Sequence, residues 1–248
     1  MTSLKWEQYN VIATVTDKPE EPYLIIGAHY DSCYHTPGAD DNASAVAVML
    51  ETARISAVTG KDPKNLMFVA YTLEEPPYFY TKNMGSDRHV KALKDKGKKV
   101  ELMTCLEMLG YFTDKENSQE YPTLLKPLGL PEKGNFVAVV AGSKSKKQAQ
   151  YLDWVIRKAA EMPAEYASVS AYVHQGGLSD HINYWQKGYL AVMLTDTAFM
   201  RNKNYHKVTD TPDTLSYDKM AKICRALAFY IIGKEKALPE KNKLSIEK

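Results

Sequence analysis

Apolar runs of strand length alternate along the chain with stretches whose apolar positions recur at helical spacing. Tyr9 to Thr16, Tyr23 to His29, Leu66 to Thr72, Val100 to Leu106, Asn135 to Ala141 and Tyr189 to Thr195 read as strands, several running straight into polar residues. Helices are predicted over Asn42 to Val58, Ser86 to Lys96, Lys146 to Met162, Ser179 to Gln186 and Ser216 to Ile232. Apolar strands separated by helical segments predict a largely parallel sheet with helices on both faces. The first helix carries Ala43, Val46, Ala47, Leu50, Ala53, Ile55 and Ala57, apolar on most faces. It is expected to be buried, with Asp41 or Asn42 capping its start. Tyr111 to Lys133, with Pro122, Pro127 and Pro131, lacks periodicity and is long for a connection, as lids and pocket walls are. From Gly233 onward the chain is rich in Lys and Glu, the composition of a frayed tail. The length of 248 residues suits one α/β domain around one core.

Charge removes some classes of partner. Lys and Arg number 32 against 30 Asp and Glu, and a net charge of +2 gives no electrostatic reason to expect nucleic acid or an anionic membrane. The Lys cluster in 91–99 reads as a solvated helix end. Three cysteines, Cys33, Cys105 and Cys224, are too scattered for a disulfide scaffold, and no C-x-x-C pair marks a structural zinc site. The first residues lack the basic patch and apolar run of a signal peptide, and no stretch reaches membrane-spanning length. The expectation is a cytoplasmic protein, or a secreted or periplasmic one if an export signal has been removed.

Polar residues gather where strands end. His29 and Asp31, two apart after Ile25-Ile26, can project to one side as the strand leaves the sheet, which suits an imidazole held by a neighbouring carboxylate. Asp40 and Asp41 stand at the mouth of the buried helix, where simple capping is the plainer alternative. Glu74 and Glu75 follow the strand ending at Thr72 and repel each other unless a cation lies beside them; Pro76 and Pro77 stiffen the turn. Glu107 lies in an apolar stretch and needs a partner, because a buried unpaired carboxylate is costly. Tyr205 and His206 occupy the loop after the strand 189–195, just before Asp210. Open α/β sheets put their sites at such strand ends.

Together, Gly27-Ala-His-Tyr-Asp-Ser32, Pro37-Gly-Ala-Asp-Asp-Asn-Ala-Ser44, Glu74-Glu-Pro-Pro77, Glu107-Met-Leu-Gly110 and Tyr205-His206 resemble the two-zinc aminopeptidase family of metallopeptidase clan MH. That family includes bacterial leucyl aminopeptidases, glutamate carboxypeptidases and, as a one-zinc relative, glutaminyl cyclase. The resemblance runs in order over roughly residues 9 to 230. It implies a three-layer α/β/α sandwich with a mixed, largely parallel sheet, and a peptide as substrate. It also implies His29, Asp41, Glu75, Glu107 and His206 as ligands of two Zn²⁺ ions, with Co²⁺ or Mn²⁺ as possible substitutes. Asp41 would bridge, its peptide to Asn42 being cis; His29 and Glu107 would complete one ion, Glu75 and His206 the other. Glu107 stands where many members carry Asp.

Asp31 would orient His29, Glu74 would be the general base, and the nucleophile would be a hydroxide between the ions. The carboxylates of Asp41, Glu75 and Glu107 with that hydroxide would balance the charge of two Zn²⁺. Tyr205 matches the oxyanion-side tyrosine of the glutamate carboxypeptidases, whereas the leucyl aminopeptidase position for a tyrosine is Gly176 here. Ser179-Asp-His181 resembles the substrate-side wall, supported by Asp180, and Asn42 is a further expected substrate-side residue. Arg201, if near the cleft, would clamp a substrate carboxylate; the alternative is a solvated loop arginine. His35 and His174 read as ordinary loop histidines and His89 as a residue of an exposed helix. The function expected is a metal-dependent exopeptidase, first an aminopeptidase. The alternatives are a carboxypeptidase or dipeptidase, then glutaminyl cyclase, then a non-catalytic binding domain.

Overall fold

A computed structural model describes residues 7–15, 18, 20–58, 65–123, 129–169 and 178–232. His174, Gly176 and the tail from Gly233 lie outside the described residues. Seven strands form one sheet: β1 (Val11–Thr14), β2 (Tyr23–His29), β3 (Leu66–Tyr71), β4 (Val100–Glu107), β5 (Val137–Gly142), β6 (Ala164–Val169) and β7 (Ala191–Thr195). Their order across the sheet is β1-β3-β2-β4-β7-β5-β6. β3, β2, β4 and β7 run parallel, as do β5 and β6, while the β1–β3 and β5–β7 pairs are antiparallel. The sheet is therefore mixed and mostly parallel.

Among the described residues five α-helices cover it: α1 (Ala45–Val58), α2 (Gly85–Asp95), α3 (Lys146–Val155), α4 (His181–Gln186) and α5 (Tyr217–Ile232). Successive residues of a strand point to opposite faces, and the core divides accordingly. Leu24, Ile26, Leu66, Phe68, Leu102, Leu106, Val192 and Leu194 pack with α1, α3 and α5 on one face. Tyr23, Ile25, Met67, Val69, Met103 and Met193 pack with Val90 and Leu93 of α2 and Tyr184 of α4 on the other. Every residue of β2 is buried, as a central strand covered on both sides requires. Among the described residues no helix is long and apolar enough to cross a membrane.

Several expectations need correction. The strand Ala164–Val169 went unread because it is a sheet edge whose middle residues are half-buried or exposed, so its sequence carries no apolar run. The first helix starts at Ala45, three residues later than expected. Before it comes an irregular helical turn, Ala39–Ser44, in which Asp41 (φ −102°, ψ 86°) and Asn42 (φ −133°, ψ 27°) leave helical angles. Their side chains bond elsewhere in the fold, so neither caps α1. The α3 helix ends at Val155, and a wider turn, Ile156–Ala160, carries the chain on to Glu161 in left-handed conformation. His89 is buried, with Nδ1 2.8 Å from the Tyr184 hydroxyl, because it lies on the inner side of α2.

Candidate metal centre

The carboxyl ends of β2, β3 and β4 and the loop following β7 converge on one point. His29, the last residue of β2, is 1% exposed. Its Nε2 lies 3.4 Å from Asp41 Oδ1, 3.4 Å from Glu107 Oε2 and 3.8 Å from Glu74 Oε2. His206 Nε2 lies 3.1 Å from Asp41 Oδ2 and 3.3 Å from Glu75 Oε2. The two oxygens of Asp41 thus face two different imidazoles. The Asp41–Asn42 peptide is cis, as the resemblance implies.

This arrangement is short of positive charge. His29 Nδ1 is 3.0 Å from the main-chain oxygen of Asp31, which can only accept, so Nδ1 carries a proton. In a neutral ring Nε2 then presents a lone pair to three carboxylates, acceptor against acceptor, unless a proton or a metal ion sits between them. His29 Nε2, His206 Nε2 and Glu75 Oε1 are buried and have no hydrogen-bond partner. Buried polar atoms seldom stay unpaired without a functional reason. Three groups of donor atoms lie within metal-ligand reach of one another: His29, Asp41 and Glu75; His29, Glu74 and Glu107; and Cys33, Glu75 and His206. The residues present therefore fit divalent cations, with imidazole and carboxylate donors of the kind zinc takes.

Titration reflects the same crowding. Burial pushes Glu74 well above the ordinary carboxylate range, with Glu107 and Asp180 adding to the shift against the pull of His29. Burial raises Glu107 as well. Asp41 falls to about 2, because its contacts to His206 and His29 outweigh its burial. Burial alone would lower His206, but Asp41 and Glu75 lift it to about 10. A proton on either Nε2 would stand where a metal ion would serve the same carboxylates.

Backbone conformation marks the same segments. Leu73 (φ 58°), Met108 (φ 44°) and His206 itself (φ 56°) are left-handed non-glycine residues beside or at the donors. Such residues cost about 1–3 kcal/mol each and persist where the surrounding fold over-determines them, commonly at functional sites. At Gly38 (φ 69°) a Cβ would come 2.6 Å from Ser32 Cβ, so the loop from β2 to Ala39 folds back on itself only with glycine there.

Supporting contacts explain how the donors are held. Asp31 accepts from the backbone N–H of Glu74 (3.2 Å) and Glu75 (3.0 Å), while its Oδ1 is 3.7 Å from His29 Nδ1. Its carbonyl faces His29 Nδ1, and its carboxylate holds the Glu74-Glu75 turn. Asp40 accepts from Gly110 N, Ser44 Oγ and Asn202 Nδ2, a structural role. Two supports lie beyond the sequence reading. Asp210 accepts from the backbone N–H of Asp40 (2.9 Å) and Asp41 (3.1 Å), fixing Asp41 from behind. Ser179 Oγ donates to Glu107 Oε2 at 2.6 Å. Its place two residues before His181, in the motif already noted, was the only local signal.

Three expected substrate-side residues take other places. Asn42 donates to Leu106 O (3.1 Å) and accepts from Met108 N (2.8 Å), so its amide clamps the strand end around Glu107 and is not part of the cavity lining. Asp180 is fully buried at the start of α4 and outside the cavity lining, and burial raises it to about 7. Arg201 is neither a clamp nor a solvated residue: it is 2% exposed, donating to Gln119 Oε1 and Phe136 O, with its guanidinium over the Phe112 and Phe136 rings. A loop position alone gives no sign of those distant partners. From the long segment after Tyr111, Gln119 and Glu120 back residues that line the cavity: Glu120 N donates to Met200 O and Gln119 bonds Thr197.

Above the donors opens a cavity of about 200 Å³, lined by Glu74, Glu75, Glu107, Tyr205 and His206 and by an apolar side that includes Phe79, Leu178, Met193 and Phe199. Tyr205 stacks on the His206 ring, centroids 3.8 Å apart. Burial and the surrounding carboxylates hold its hydroxyl far above neutral pH, so it remains a donor.

The chain is similar to known proteins. The chain is 40% identical over 211 residues to Uncharacterized protein YfbL of Escherichia coli (strain K12), which covers 82% of this chain and 64% of that protein. It is 28% identical over 240 residues to Leucine aminopeptidase 1 of Chaetomium globosum, covering 90% of this chain and 53% of that one. The crystal structure of the Legionella pneumophila LapA aminopeptidase superposes with a TM-score of 0.69 at 21% identity, over 92% of this chain and 56% of that one, and establishes the shared α/β fold. The chain thus spans between about half and two thirds of the length of these relatives. The model of peptidase family M28 matches residues 10–231, from just ahead of β1 to the end of α5, and so takes in every donor of the cluster: the chain belongs to peptidase family M28.

Proposed function

We propose that this chain is a metal-dependent aminopeptidase, releasing amino-terminal residues from peptides, with His29, Asp41, Glu75, Glu107 and His206 as donors to two divalent ions, zinc foremost. One observation carries the reading: the two oxygens of Asp41 face the unpartnered Nε2 atoms of His29 and His206. Membership of a peptidase family and the aminopeptidases among its relatives support the same reaction class. When bound, such ions polarise a scissile carbonyl and acidify water.

The chain's own groups then divide the work. Glu74 is buried at the cavity, and its raised basicity suits a general base working near neutral pH. It takes a proton from the attacking water and delivers it to the leaving nitrogen as the C–N bond breaks. Tyr205 donates its hydroxyl proton in a hydrogen bond to the carbonyl oxygen as negative charge develops there. Phe79, Leu178, Met193 and Phe199 favour an apolar side chain on the departing residue. Among the described residues lining the cavity there is no Lys or Arg, and several carboxylates are present. That lining attracts an ammonium and repels a carboxylate, which favours the amino over the carboxyl terminus of a peptide.

The test is hydrolysis of apolar aminoacyl anilides by the zinc-loaded chain, beside the same compounds with blocked amino groups. The free compounds should be cleaved and the blocked ones spared. Glu74→Gln should retain metal while kcat falls about 10²- to 10⁴-fold, the span of a lost general base. Equal cleavage of blocked compounds, or an active Glu74→Gln enzyme, would refute the assignment.

A further inference from the structure

One donor group near the cluster is not used by the proposed mechanism. Cys33 Sγ, an oxygen of Glu75 and an imidazole nitrogen of His206 all lie within 4.8 Å of one another, the same closeness that relates the other two donor groups. We propose that Cys33 is a thiolate donor on the His206 side of the cluster, making that half of the site a sulfur-containing position for a borderline-soft divalent ion such as zinc, cobalt or cadmium. The inference rests on the metal reading above and adds a ligand to it.

The surroundings of Cys33 support a built position. Glu75 is 4% exposed, and its Oε1 has no hydrogen-bond partner, as is also true of His206 Nε2. Two unsatisfied polar atoms thus belong to residues that share this group with the sulfur. The loop that carries Cys33 is closed on both sides. Thr36 donates to the Cys33 carbonyl oxygen from its backbone N–H (3.1 Å) and its hydroxyl (2.8 Å), and Ser32 is packed against Gly38. Cys105 and Cys224 are buried away in the core, whereas Cys33 is half-buried and free.

Coordination would break the S–H bond, release the proton to solvent and form a sulfur–metal bond, with no change of oxidation state. A thiolate shifts preference toward zinc and cadmium and away from manganese and magnesium, which oxygen donors suit better. The His206 half would therefore discriminate among ions more sharply than a set of nitrogen and oxygen donors alone.

The test is titration of the chelator-stripped full chain with Co²⁺ under a non-coordinating reductant, reading two absorption signatures at once. Visible ligand-field bands report cobalt in the site, and a near-ultraviolet sulfur-to-cobalt charge-transfer band reports a thiolate ligand. Both should grow in the wild type. Cys33→Ser and Cys33→Ala should lose the near-ultraviolet band yet keep visible bands, while Cys224→Ser keeps both. Cadmium affinity in the Cys33 variants should fall at least about ten-fold, the smallest loss seen when even an outer partner of a metal ligand is removed. Visible bands without the sulfur band in the wild type, or a sulfur band that survives in both Cys33 variants, would overturn the role of Cys33 and leave the metal reading standing. Absence of bound cobalt in every protein would overturn the metal reading and this inference with it.

Discussion

Replacing Asp210 with Ala should weaken metal binding without altering any of the proposed donors. The fully buried carboxylate accepts the backbone N–H of Asp40 at 2.9 Å and of Asp41 at 3.1 Å. Hydrogen bonds to a charged group contribute about 1.5–3 kcal/mol each. Taking the low end, since both share one carboxylate, Asp210→Ala should cost about 3 kcal/mol and strand two backbone N–H groups. Domains of ordinary stability hold about 5–15 kcal/mol, so the variant should still fold. The larger effect falls on the cluster, because Asp41 would lose the anchor that keeps its oxygens between His29 and His206. Outer partners of metal ligands typically govern about 10- to 100-fold in affinity, and that is the loss expected here. Urea unfolding of the chelator-stripped protein measures the first quantity, and zinc competition against a chromogenic chelator the second. Asp210→Asn, with the same shape and one surviving acceptor, should fall between Asp210→Ala and the wild type in both. Wild-type zinc affinity in a folded Asp210→Ala protein would refute the anchoring role, and a stability loss under about 1 kcal/mol would refute the costing.

Two further expectations test the buried cation and the buried imidazole. Arg201→Ala should destabilise the protein by about 3–5 kcal/mol, the cost of breaking a buried charge network, because the guanidinium offsets Asp196 and bonds Gln119 and Phe136. Its effect on turnover should be the same for acidic and apolar substrates, and a loss confined to acidic ones would restore it to the cleft. His89 is held at about 4 by burial, against 6.5 in the unfolded chain. A depressed histidine stabilises fully above pH 6.5 and loses that contribution as pH falls toward 4, here about 3 kcal/mol. Urea midpoints of the chelator-stripped protein should drop over that window, and His89→Gln should flatten the drop; an unchanged slope would remove His89 from the account.

The strands and clustered polar residues that could be read from sequence share a property: their signal is local. The bounds of Tyr23–His29 agree with the expectation because a central strand buried on both faces must be apolar throughout. The edge strand Ala164–Val169 sits partly in water and offers no such run. His29, Glu74, Glu75 and Glu107 were conspicuous as polar groups ending apolar segments. Asp210 was not, since its partners lie 170 and 169 residues away and the loop around it is polar anyway. Arg201 misled for the same reason, as its partners Gln119 and Phe136 meet it only in the folded chain. Asn42 carried the right address and the wrong role: it lies in the site, but whether an amide faces a substrate or its own backbone depends on how β4 arrives beside it.

The five proposed donors are scattered from position 29 to position 206, and the last of them follows β7, the strand inserted between β4 and β5. A nascent chain halted before that point would possess four of the groups and lack the imidazole that faces the second oxygen of Asp41. No early fragment can assemble the whole nest, so the full set of five groups is completed late in the history of each molecule. The half of the site that faces His206 is then finished last, after the sheet has taken in β7.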